Sequence, residues 1–87
     1  MSEHKPITAR VGGPARDMPT ATELEAFSGD PHFMLSLARG LLVLQAFVGG
    51  GPKMTVSDAA RATGLARATA RRCLYTLEKV GYVRIYA

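Results

Sequence analysis

Cysteine is almost missing from these 87 residues: Cys73 stands alone, so no disulfide can close within the chain. His4 and His32 are isolated, and no set of Cys, His or carboxylate residues has ligand spacing, which argues against a structural or catalytic metal. The longest apolar stretch, Leu41 to Leu44 extended to Val48, is broken by Gln45 and falls far short of the roughly 20 residues that cross a bilayer. No cationic start followed by an apolar run and a small-residue cleavage site opens the chain, so a cytoplasmic protein without membrane contact is expected. The equipment of catalysis is lacking too. No nucleophile stands beside a base, no acidic pair is present, and Gly49-Gly-Gly51-Pro-Lys53 lacks the spacing of a phosphate-binding loop. Neither an enzyme nor a cofactor is expected.

What is present is enough apolar material for one small domain. Hydrophobic residues make up 47% and charged ones 21%, the balance of a folded chain rather than a disordered one. Acidic residues are scarce where basic ones gather. From Met1 to Met34, three basic residues face five acidic ones, a net of −2; from Leu35 to Ala87, eight face only Asp58 and Glu78, a net of +6. A surplus of that size on about fifty residues favours a polyanionic partner, nucleic acid before membrane.

Pro6, Gly12, Gly13, Pro14 and Pro19 mark a flexible arm, expected to reach residue 32, although Thr20-Ala-Thr-Glu23 has the pattern of a capping box and allows a helical turn or two up to Phe27. Arg10 and Arg16 could reach a DNA minor groove, but the arm is net acidic and disorder is the stronger expectation. Residues 33–87 are expected to fold. Leu37, Leu41, Leu44 and Val48 repeat at helical spacing after Ser36, a suitable N-cap, and predict a helix to about Phe47 that the following glycines and Pro52 stop. Ala38, Leu42, Val43, Ala46 and Phe47 add a second apolar stripe. Two readings stay open: a helix enclosed by its own domain, or one whose second face, carrying Leu37, Leu41, Leu44 and Phe47, pairs with another subunit.

Thr55-Val-Ser-Asp58 is another capping-box start, for a short helix that ends at Gly64. A third helix is predicted from Arg67 to Val80 before Gly81, with Ala70, Cys73, Leu74, Leu77 and Val80 facing inward. Tyr82 to Tyr86 alternates like a strand, with Val83 and Ile85 on one side. Two short helices joined at a glycine are the helix-turn-helix pattern, whose second helix enters the DNA major groove. On the outward side of that helix lie Arg67, Ala68, Arg71, Arg72 and Tyr75, with Thr69 near its start. An arginine can donate two parallel hydrogen bonds to guanine, so Arg67 or Arg71 is the expected base reader, and the small Ala68 permits close approach. Arg72, Lys79 and Thr69 are expected at phosphates, joined by Thr55 and Ser57 at the start of the second helix. The competing readings are a solvated charged face and a winged-helix module for protein interaction or dimerisation, in which these arginines are incidental.

Ser36-Leu-Ala-Arg-Gly-Leu-Leu-Val-Leu44, Ala59-Ala-Arg-Ala-Thr-Gly-Leu65 and Arg67-Ala-Thr-Ala-Arg-Arg72, followed by Thr76-Leu77 and Gly81-Tyr-Val83, resemble the N-terminal domain of IclR-type bacterial transcriptional regulators. The third helix is most similar to the branch governing aromatic-acid catabolism, the protocatechuate and hydroxybenzoate regulators. The resemblance implies a mainly α fold, a winged helix-turn-helix with a three-helix core and a short, truncated β wing from Tyr82. It also implies a homodimer formed partly through the first helix and a palindromic double-stranded operator. The family continues into an effector-binding domain, so the chain is expected to lack that domain, as a fragment or a truncated product, and to meet a small-molecule effector only through it. Two departures stand out: Ala66 replaces a Ser, Thr or Pro that would start the third helix, and Cys73 replaces a larger apolar residue. Cys73 reads as a small core side chain, with a redox role as the alternative.

Overall fold

A computed structural model describes residues 18–50 and 53–84. Its elements, in order, are α1 (Ala21–Leu24), continued by a 3-10 turn over Glu25–Phe27, then α2 (Leu35–Gly50), α3 (Val56–Thr63) and α4 (Arg67–Lys79). The last three pack on one another around Val43, Ala59, Leu65 and Leu74, with Ala21, Phe47, Met54, Val56, Cys73, Leu77 and Val83 against that centre. The fold is mainly α. A strand exists only by pairing with another strand, and none is found among the described residues. Tyr82 to Arg84 therefore run as irregular chain, with Val83 turned inward as its alternation predicts, while Ile85 and Tyr86 lie outside the described residues.

The packed part begins well before residue 33, the start expected from the sequence. Thr20 closes a full capping box: the Glu23 N–H donates to its hydroxyl at 3.1 Å and its own N–H donates to the Glu23 carboxylate at 2.8 Å. That box holds a single turn in helical form long enough for Leu24 to bury, to 3% exposure. The short N-terminal turn thus packs against α2; residues 1–17, with Arg10 and Arg16, lie outside the described residues. The Arg39 guanidinium ties the following turn to α2 by donating to Glu25 at 2.7 Å.

Two expected boundaries of α2 shift. The helix opens at Leu35, so Ser36 is inside it and caps nothing, and it runs on to Gly50 rather than stopping near Phe47. Glycine weakens a helix by about 1 kcal/mol per residue but keeps its N–H, so it does not block the ladder of hydrogen bonds as proline does. For α3 and α4 the sequence signals hold. Thr55 and Asp58 form the reciprocal cap at 3.0 Å in both directions, and Gly64 ends α3 at φ +80 with its N–H donated to Ala60. α4 has Ala66 as its N-cap, with no side-chain hydrogen bond, and Val80 as its C-cap, after which Gly81 adopts φ +92. Val80 is the correction here. Expected in the inward stripe, it is 62% exposed, because the helix has already ended and the chain turns at Gly81.

Candidate nucleic-acid interface

The turn between α3 and α4 is built from the inside. Thr63 is buried; its hydroxyl donates to the Ala59 carbonyl at 2.7 Å and accepts from the Leu65 N–H at 3.2 Å. The left-handed Gly64 follows, Leu65 drops into the core, and α4 departs at a set angle with Ala70 and Leu74 buried beneath it. The Thr63 latch is absent from the sequence reading. A threonine one residue before a helix-ending glycine is its signal, because a side-chain hydroxyl there competes for backbone partners.

With that face buried, the outward side of α4 is decided. Arg67, Ala68, Arg71, Arg72, Tyr75 and Lys79 are exposed together, and Thr69 is half-buried at their margin. The Lys79 ammonium lies 5.1 Å from the centre of the Tyr75 ring, a cation–π pair one helical turn apart. Two of the acids pair away from this face, Glu25 with Arg39 and Asp58 with Arg61 at 2.8 Å, and Glu78 is the one acid on α4 itself. Arg67, Arg71 and Arg72 have no ion-pair partner among the described residues. A helix face of several unneutralised guanidiniums with one small side chain between them can dock on a polyanion and reach base edges. Thr55 and Ser57 stand at the start of α3, Thr55 exposed and Ser57 half-buried, with the Thr55 oxygen already accepting from Asp58 and its hydrogen free to donate. The backbone N–H of Thr55 and the Arg61 guanidinium hold the Asp58 carboxyl below its ordinary value.

The family is decided by a match over residues 36–84 to the IclR helix-turn-helix domain, which takes in α2, α3, α4 and the turn that latches them. The chain belongs to the IclR helix-turn-helix family. It is similar to the Pca regulon regulatory protein of Pseudomonas putida, 45% identical over 78 residues, 90% of this chain and 26% of that protein. It is also similar to the Pca operon regulatory protein of Acinetobacter baylyi, 37% identical over 51 residues, 59% of this chain and 18% of that one. The chain spans about a quarter or less of the length of these relatives. Their names support the aromatic-catabolism branch of IclR-type regulators. Both relatives are named as regulatory proteins. No helix among the described residues is long and apolar enough to cross a membrane, and none of them cluster as metal ligands.

The second face of α2 divides. Leu37 is 55% exposed and Leu41 48%, and Leu44 is half-buried beside them, but Phe47 packs against the core and leaves that stripe. Position explains it: Phe47 lies four residues after Val43, which is fully buried, so the two share the inward face. Leu37, Leu41 and Leu44 line a groove of about 630 Å³ between α2 and α4, whose other wall includes Cys73, Leu77, Val80 and Tyr82. Val80 and Tyr82 add apolar surface that helical periodicity alone did not assign to it. Burial pushes the Cys73 thiol up from its ordinary value, against the opposing pull of Arg39 and Arg72, so it is a half-buried neutral thiol rather than a poised thiolate.

Proposed function

We propose that this IclR-family domain reads a specific double-stranded operator as a homodimer, with α4 in the major groove. The observation that carries the reading is the unneutralised arginine face of α4, set outward by the Thr63–Gly64–Leu65 turn. Arg67 or Arg71 contacts a guanine edge, Ala68 and Tyr75 shape the approach, and Arg72, Lys79 and Thr69 hold phosphates, as do Thr55 and Ser57 from α3. Two such units on a two-fold axis require half-sites about one helical turn apart, hence a palindromic operator. Leu37, Leu41 and Leu44 supply the dimer contact. By likeness to the Pca regulatory proteins, the genes controlled belong to aromatic-acid catabolism, and a small-molecule effector acts through a part of the protein other than these 87 residues.

Selection of bound sequences from random DNA tests the reading: a palindromic consensus is expected, with affinity falling steeply as salt rises. Equal, weak binding to every sequence at every salt would sink it. The exposed Leu37 and Leu41 favour a second reading, a protein-interaction module whose arginines are incidental. Retention on heparin to high salt supports the DNA reader, whereas flow-through combined with tight self-association supports the module.

A further inference from the structure

The groove between α2 and α4 is mostly apolar, but Ser36 and Arg39 on α2 and Thr69 and Arg72 on α4 stand among the leucines that line it. Arg39 and Arg72 line the same groove as Cys73, and the charge of each opposes the upward push that burial gives its thiol. Arg39 makes one recorded hydrogen bond, to Glu25, and its side chain stays 31% exposed, so most of its five N–H donors remain available. Arg72 has no ion-pair partner among the described residues.

We propose that Ser36, Arg39, Thr69 and Arg72 form a seat for one DNA backbone phosphate on the α2 side of the recognition helix, a site that rests on α4 being that helix. A phosphate is the anion suited to it: guanidinium forks match its oxygens, hydroxyls add single donors, and the seat adjoins the exposed Arg71–Arg72 face. Glu25 has a double effect. It holds the Arg39 guanidinium at the groove, and it competes with the phosphate for it. Arg39, which lies on the first core helix and outside the helix-turn-helix proper, thereby becomes a DNA contact.

The test is the salt dependence of binding to the operator obtained by selection. Arg39→Gln should make the slope of log K against log salt shallower by about 0.9, the release of one counterion fewer, and weaken operator and random DNA alike. Arg39→Lys, which keeps the charge, should restore the slope. Glu25→Gln should bind several-fold more tightly than Glu23→Gln, which removes the same charge and keeps an acceptor for the Thr20 N–H. An unchanged slope for Arg39→Gln, with operator preference intact, would overturn the phosphate seat and leave the recognition helix standing. Loss of all sequence preference in the wild-type protein would instead overturn the reading beneath it. If Arg39→Gln unfolds by circular dichroism, the two glutamate variants decide, and equal affinities reject the seat.

Discussion

At the scale of single residues, Arg67, Arg71, Arg72 and Lys79 share a charge but, under the proposed function, not a role. Arg71 and Arg72 are adjacent in sequence yet about 100° apart on the helix, so they address different parts of a groove. Arg71→Ala should relax base preference at one operator position, whereas Lys79→Ala should weaken all sequences alike; competition binding with single-base operator variants separates the two, and equal uniform losses would refute these roles. The arginine face was legible in the sequence because helical spacing and the shortage of acids both mark it. Phe47 and Val80 were not so legible. A large apolar side chain on a helix with two apolar stripes can serve either, and only the packing of α3 and α4 against α2 sends Phe47 inward, while Val80 stays out because α4 ends before it.

The elements owe their ends to local chemistry, and two of those ends yield measurable consequences. Gly64 sits at φ +80, and a methyl group there would meet the Ala21 methyl at an ordinary 3.7 Å. Gly64→Ala should therefore cost only the backbone strain, about 1–2 kcal/mol in thermal or urea unfolding; a much larger loss would mean a clash. The capped Asp58 carboxyl titrates below its ordinary value. A depressed folded pKa adds stability that is present above the unfolded value, near 4, and lost as pH falls through the folded one. The melting temperature should drop in that acid window, and less so in Asp58→Asn; identical acid profiles for the two proteins would contradict the role of this cap. Both features were readable in advance, since a capping box and a helix-ending glycine act within four residues. The α1 turn was harder to place, because its cap was visible but its burial depends on Leu24 meeting a surface assembled from distant chain.

For the whole molecule the central fact is a small core beside an uncovered apolar groove. A domain this size buries too little surface to be strongly stable alone, and Leu37, Leu41 and Tyr82 remain open. A dimer covering them links stability to concentration, so dilution should lower the melting temperature, and Leu41→Lys should abolish that dependence and weaken operator binding. A concentration-independent wild-type transition would favour a stable monomer. By itself the sequence determined the three main helices, the glycine turn, the side of α4 that carries charge and the IclR resemblance. All of these follow from short-range periodicity, capping and composition. Only the tertiary structure decided that Leu24 is buried, that Thr63 latches the turn, that Glu25 ties Arg39 to the α1 turn, and which apolar side chains stay outside. Those depend on groups brought together from separate parts of the chain, and no local pattern encodes their distance.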